Sequence, residues 1–101
     1  MWWLTFRDGS VVILEASSLL HARMLAVKYG LGRPAYFVEG HFVDPVWATL
    51  IPHDDIGRML SPPEARQVHD MLTDHGRRIG AHTNEAIALR KLVAELSTDS
   101  T

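Results

Sequence analysis

The sequence contains no cysteine, and this absence excludes a whole group of chemistries. Without thiols the chain cannot form disulfides, hold zinc through cysteine, ligate an iron–sulfur cluster or use a thiolate as a nucleophile. The chain also has no long hydrophobic run and no basic segment after Met1. We therefore expect neither a signal peptide nor a membrane span, and we predict a cytoplasmic location.

An excess of charge of one sign is missing as well. Ten lysine and arginine residues stand against twelve aspartate and glutamate residues, and the formal net charge is −2. The residues up to Leu60 and the residues after it carry the same balance of acidic and basic side chains. Proteins that bind nucleic acid usually present a strongly basic face. A nucleic-acid-binding accessory protein is therefore only an alternative hypothesis.

Motifs of catalysis and cofactor binding are absent from the sequence. We find no G-x-S-x-G nucleophile elbow, no phosphate-binding loop, no dinucleotide fingerprint and no H-E-x-x-H zinc motif. We therefore expect a protein that is not an enzyme, that uses no cofactor or metal, and that works by binding another macromolecule.

The composition is that of one folded domain. Apolar residues make up 47% of the 101 residues, which is enough for a single modest core. The pattern along the chain predicts an α+β fold. A small antiparallel sheet with a ββαββ head would occupy residues 1–60, a long helix or helical hairpin residues 61–97, and a polar tail residues 98–101.

The first fifteen residues predict a β-hairpin. Strands over residues 2–7 and 10–15 flank Asp8-Gly9, a dipeptide that suits a two-residue type I′ turn. Such a turn would pair Phe6 with Val11, Leu4 with Ile13, and Trp3 with Leu14.

Both faces of this hairpin are largely apolar. In the expected register one face carries Leu4, Phe6, Val11 and Ile13, and the other carries Trp3, Thr5, Val12 and Leu14. A sheet with one wet side is polar on that side, so both faces here need a cover. The cover of the second face is either the C-terminal helical region or a partner, which makes Trp3, Val12 and Leu14 candidate interface residues.

A helix and two further strands are expected in the rest of the head. Ser17 or Ser18 can cap a helix over residues 18–29, which Gly30 would end. One stripe of that helix carries Leu20, Met24 and Val27. Strands are predicted over residues 34–39 and 46–51, followed by a short turn over residues 56–60.

The C-terminal region begins with a strong helix start and continues with a heptad pattern. Ser61, Pro62 and Glu64 supply a cap, a first-turn proline and the third residue of a capping box. Apolar residues and histidines then follow at spacings of three and four. This heptad pattern consists of Ala65, Val68, Leu72, His75, Ile79, His82, Ala86, Leu89, Val93 and Leu96.

Two interpretations of the heptad pattern lead to different assemblies. An unbroken helix over residues 62–97 would be about 54 Å long, too long for the small head to cover, and would imply a homodimer. A helical hairpin would break near Gly80, with Thr83 or Asn84 capping its second helix. We favour the unbroken helix, because an interior glycine costs only about 1 kcal/mol.

The homodimer hypothesis assigns the interface to the heptad pattern. The expected contacts are Leu72, His75, Ile79, His82, Leu89, Val93 and Leu96, with possible polar contacts from Arg77, Arg78, Glu85 and Arg90. His75 and His82 lie one heptad apart, about 10.5 Å along a helix, too far for one helix to hold one ion with both. A metal- or pH-responsive regulator that uses these histidines is a second alternative.

The first half of the chain resembles a set of short proteins encoded by phages and prophages. The resemblance rests on residues 3–10, on Glu15, on Ala22 and Ala26 of the next helix, and on residues 45–47. Their ββαββ heads are similar to those of some anti-CRISPR inhibitors. The resemblance implies a phage-type inhibitor in the cytoplasm of a host cell, which occupies a surface of a host defence complex.

Overall fold

The computed structural model describes residues 1–80 and 83–96. They form an antiparallel sheet of four strands in the order β3-β1-β2-β4, together with helices, so the predicted α+β class is confirmed. The strands are β1 (Trp2–Phe6), β2 (Val11–Leu14), β3 (Phe37–Phe42) and β4 (Met59–Leu60). The α-helices are α1 (Leu19–Lys28), α2 (Pro45–Ala48), α3 (Pro62–Arg78) and α4 (Asn84–Leu96). The predicted polar tail over residues 98–101 lies outside the described residues.

The hairpin between β1 and β2 closes through three residues and not two. The backbone N–H of Gly9 donates to the carbonyl of Phe6 over 3.0 Å, and the N–H of Phe6 donates to the carbonyl of Ser10 over 3.0 Å. Gly9 has a φ of 88°, the left-handed conformation found where a type I turn ends in a bulge. Asp8-Gly9 thus marks the hairpin correctly, but it serves a longer loop than we expected.

The extra loop residue shifts the register by one position, so the expected pairing is wrong. Trp3 pairs with Ile13 and Leu4 pairs with Val12. A shift of one residue moves a strand's side chains to the opposite face relative to its neighbour. One face now carries Trp3, Val11 and Ile13, and the other carries Leu4, Phe6, Val12 and Leu14.

Helices of the same chain cover both faces. The face with Trp3 packs against α3 and α4 in the larger core, whose members include Val68, Leu72 and Leu89. The opposite face packs against α1 through Ala22 and Ala26. For the face with Trp3 we expected either the C-terminal helical region or a partner as the cover. The C-terminal helical region covers it.

The fourth strand does not lie where we predicted it. Residues 46–51 were expected to be extended, but Pro45–Ala48 forms the short helix α2. Asp44 caps this helix by accepting the N–H of Val46 over 3.0 Å, and Pro45 takes a first-turn position that suits proline. The fourth strand is β4, which pairs with β2 in the segment where we expected only a turn. The third strand begins at Phe37, after a turn of 3-10 helix.

The C-terminal region is a helical hairpin, and the unbroken helix that we favoured is wrong. The predicted capping box is confirmed: the hydroxyl of Ser61 accepts the N–H of Glu64, and the Glu64 carboxylate accepts the N–H of Ser61. Helix α3 ends at Arg78, and Gly80 follows with a φ of 94°. Thr83 then caps α4 by accepting the N–H of Ala86 over 3.1 Å.

Candidate functional site

The hairpin residues proposed for a partner interface lie inside the chain. Trp3 is 2% exposed, Val12 is fully buried and Leu14 is 6% exposed. Trp3 belongs to the core beneath α3 and α4, whereas Val12 and Leu14 lie beneath α1. A partner cannot reach these side chains on the folded chain, so we reassign all three to the core.

The apolar residues of the heptad pattern also face inward, within one chain. Leu72, Leu89 and Leu96 are buried, while His75, Ile79 and Val93 are half-buried. The buried side of α4 includes Leu92, which the heptad pattern did not contain. Because α3 and α4 fold against each other, the seam that suggested a homodimer is already filled by the chain itself.

The polar residues proposed for the interface lie on the surface. Arg77, Arg78, Glu85 and Arg90 are exposed. Arg78 forms an ion pair with Asp74, with 2.9 Å between the guanidinium and the carboxylate. These side chains remain accessible to solvent.

The histidines do not assemble a metal site in the part of the chain that is described. His82 lies outside it, and residues 1–80 and 83–96 contain no group of three side chains placed to hold a metal ion. His69 lies between the helices, with its Nε2 atom 3.0 Å from the carbonyl oxygen of Val93. His41 lies 3.4 Å from the carboxylate of Glu39.

Helix α1 leaves the predicted apolar stripe exposed. Its cap is as predicted, since Ser18 accepts the N–H of His21 over 3.1 Å. The helix packs on the sheet through Ala22 and Ala26, which are at most 4% exposed. The α1 stripe, which consists of Leu20, Met24 and Val27, is instead 68%, 61% and 59% exposed.

The small side chains of α1 explain this orientation. Alanines let a helix axis approach a sheet closely, and Leu19 at the start of α1 fills the space above Gly40 of β3. A larger residue at position 40 would collide with Leu19. The helix therefore packs through its alanine side, which leaves its larger apolar side chains facing solvent.

A groove runs beside the α1 stripe. It has a volume of about 500 Å³, and its accessible lining is mostly apolar. The buried side chains of Leu4 and Phe6 form its base. Further lining residues come from the stripe itself and from the segment after α1, namely Leu31, Pro34 and Phe37. We call this cavity the α1 groove.

A cation lies on the rim of the α1 groove. The guanidinium carbon of Arg23 is 4.4 Å from the centre of the Phe37 ring, within the range of a cation–π contact. Lys28 also lines the groove, and its Nζ atom lies 5.7 Å from the centre of the Tyr29 ring. The groove therefore combines apolar walls with positive charge at its edge.

Within residues 1–80 and 83–96, the resolved pKa shifts lie away from the α1 groove. The hydroxyl and the N–H of Ser10 lower the pKa of Asp8 in the hairpin loop. The guanidinium of Arg58, together with the N–H and hydroxyl of Ser61, lowers the pKa of Glu64 to about 2. The same contact with Glu64 raises the pKa of Arg58. A turn and a helix cap explain these shifts.

Comparisons with known proteins leave the groove as the main guide to function. Searches against protein-family models, curated proteins and solved structures find no match to this chain. No helix in the described part of the chain combines the length and the apolar character needed to cross a membrane. The accessible, mostly apolar α1 groove is therefore the candidate functional site.

Proposed function

We propose that this protein acts by binding another protein through the α1 groove. The observation that carries the proposal is the exposure of Leu20, Met24 and Val27 along one side of α1, directly beside an open apolar cavity. Single exposed apolar residues are normal on a protein surface. A contiguous apolar patch beside a concave surface is instead typical of an interaction site.

The α1 stripe can contribute favourable free energy to the binding of a partner. Full burial of one large aliphatic side chain contributes about 1.5–3 kcal/mol. The three stripe residues are each more than half exposed. A partner that covers them would gain on the order of 3–5 kcal/mol from this stripe alone. Met24 adds adaptability, because the unbranched methionine side chain adjusts to the shape of a partner.

A non-enzymatic role is part of the proposal. Active sites commonly contain titratable groups with perturbed pKa values in a cleft. The perturbed groups resolved here are Asp8, Arg58 and Glu64, and each is explained by its hydrogen bonds in a turn or a cap. The α1 groove offers aliphatic and aromatic walls, which suit recognition of an apolar surface.

The resemblance of the first half to small phage and prophage proteins suggests the setting of this binding. We infer that the partner is a host protein, such as a component of a CRISPR–Cas defence complex, and that the protein acts in the host cytoplasm as an inhibitor. The homodimer loses the unbroken helix on which it was based, since α3 ends at Arg78. The mass in solution tests the homodimer hypothesis.

Affinity capture with matched variants tests the proposed function. Tagged wild-type protein and the Leu20→Gln/Met24→Gln variant are incubated with host lysate, and bound proteins are quantified by mass spectrometry. Ile87→Gln is the control, because Ile87 is 52% exposed on α4, which lies over the other sheet face. We expect the double variant to lose a partner that wild type and control retain. Equal capture by all three proteins would refute a binding role for the groove.

A further inference from the structure

The segment that contains α1 is locally basic in an acidic chain. Residues 16–38 contain Arg23, Lys28 and Arg33 and no aspartate or glutamate, although the whole chain has a net charge of −2. Counts of acidic and basic residues over the two halves of the chain do not reveal this local excess of positive charge. The exposed apolar residues Leu20, Met24 and Val27 thus lie within the longest stretch of chain without a carboxylate.

Two of these three cations belong to the α1 groove. Arg23 and Lys28 line it, whereas Arg33 lines a neighbouring cavity together with Asp8. In residues 1–80 and 83–96, neither Arg23 nor Lys28 has a carboxylate within 4.0 Å. Both cations instead lie beside aromatic rings, Arg23 over Phe37 and Lys28 near Tyr29. Their charge is therefore available to a ligand.

We propose that the α1 groove binds an acidic amphipathic helix of a partner protein. This inference rests on the proposed function and specifies the chemistry of the partner. The stripe residues Leu20, Met24 and Val27 are spaced by four and three residues, so they form one apolar row along α1. An amphipathic partner helix presents its own apolar anchors at the same spacing and can pack along this row. Carboxylates that flank those anchors would pair with Arg23 and Lys28. Helix α1 offers about 15 Å of contact, or about three turns of such a helix.

Two other occupants fit the groove less well. A second copy of this chain would bring its own Arg23 and Lys28 to the same surface, because a twofold contact places the same patch on both sides. These like charges would repel each other. An anionic membrane attracts basic residues, but it favours an apolar face that protrudes into the bilayer. The α1 groove is concave and carries only two cations.

Binding of designed peptides tests this inference. A labelled helical peptide of about 18 residues carries leucines at helical spacing with flanking glutamates, and a second peptide replaces every glutamate by lysine. Affinities are measured by fluorescence anisotropy at low and high salt. We expect the full chain to prefer the acidic peptide by about tenfold or more at low salt, with a smaller preference at high salt.

Charge variants show whether the groove provides this preference. Arg23→Gln/Lys28→Gln should remove most of the preference, and Arg23→Glu/Lys28→Glu should favour the lysine peptide. Arg77→Glu/Lys91→Glu reverses two exposed cations on the helical hairpin and should leave the preference unchanged. Circular dichroism and thermal melting confirm that each variant is folded. If only one of the two groove variants folds, it still tests the inference. The neutral pair should remove the preference for the acidic peptide, and the reversed pair should invert it.

The possible failures are distinguishable. Equal affinity for both peptides, or binding of neither, overturns the acidic-helix inference. Binding to phosphatidylserine vesicles without binding to the acidic peptide overturns it in favour of a membrane surface. If Leu20→Gln/Met24→Gln abolishes capture from lysate while the acidic peptide is not preferred, the proposed function stands and only the inferred partner chemistry fails. If that variant captures normally, the proposed function itself fails.

Discussion

Gly76 of α3 lies directly against Leu89 of α4. A Cβ atom on Gly76 would be 3.3 Å from Cδ2 of Leu89, closer than most methyl contacts in proteins. The missing side chain lets the two helices approach each other at this point. Leu89 is fully buried there, in the core that also covers Trp3. This contact is one reason that the C-terminal region folds back on itself.

Filling the space at Gly76 should destabilise the protein. We expect Gly76→Val to lower the free energy of unfolding by about 1–3 kcal/mol, because the added methyl groups would force Leu89 aside. Gly76→Ala should cost less, since the gain in helix propensity of about 1 kcal/mol offsets the crowding. Urea denaturation measures both. Ala88→Val on the exposed side of α4 is the control, and a cost equal to that of Gly76→Val would contradict the close contact.

Core and stripe residues should respond differently to substitution. Leu72 is fully buried, so Leu72→Ala should cost about 2–5 kcal/mol of stability. Met24 is 61% exposed, so Met24→Gln should change stability by no more than about 0.5 kcal/mol. Thermal and urea unfolding compare the two variants. A large loss of stability in Met24→Gln would mean that the α1 stripe is part of the core.

The mass in solution distinguishes the helical hairpin from the homodimer. In the structure the buried sides of α3 and α4 face each other and the sheet, and Arg23 and Lys28 oppose self-association through the α1 groove. We therefore expect light scattering at micromolar concentration to give the monomer mass of 11.3 kDa. Twice that mass would restore the homodimer hypothesis and would require an interface other than the heptad pattern.

The capping box of α3 should make stability depend on pH in the acid range. Arg58 and Ser61 hold the pKa of Glu64 at about 2, below its ordinary value of 4.5. A lowered pKa in the folded state stabilises the fold above pH 4.5, and this contribution disappears as the pH falls through about 2.

Two measurements check this pH dependence. An NMR titration of the Glu64 carboxyl carbon should give a midpoint near pH 2, and Glu64→Gln should weaken the loss of stability between pH 4.5 and 2. Glu85→Gln is the control variant, because Glu85 is exposed in the first turn of α4. A midpoint near the ordinary value for Glu64 would contradict the hydrogen bonds to Arg58 and Ser61.

Much of the fold could be predicted from local sequence. The capping box, the cap of α1 at Ser18 and the hairpin at Asp8-Gly9 each depend on residues close in the chain. The hairpin register could not be predicted with equal certainty, because Asp-Gly suits both a two-residue turn and a three-residue loop. Local sequence did not favour the break after Arg78. The free energy that stabilises the break comes from packing α4 on α3, and this contact joins residues distant in the sequence.

The candidate site was missed for a similar reason. Periodicity identified the α1 stripe, but α1 has two apolar sides, and periodicity does not tell which one meets the sheet. Ala22 and Ala26 take that position, with Gly40 of β3 allowing Leu19 to approach. The charge signal could have been found in the sequence. A window over residues 16–38 contains basic residues and no acidic ones, whereas counts over each half of the chain do not reveal it.

Site-specific photo-crosslinking in cells tests whether the α1 groove is the binding surface. A photoreactive amino acid is placed at Met24 in the α1 groove or, as a matched exposed control, at Ile87 on α4. We expect a crosslinked partner protein from position 24 and none from position 87. Crosslinks from position 87 alone, or from neither position, would contradict the claim that the α1 groove is the binding surface.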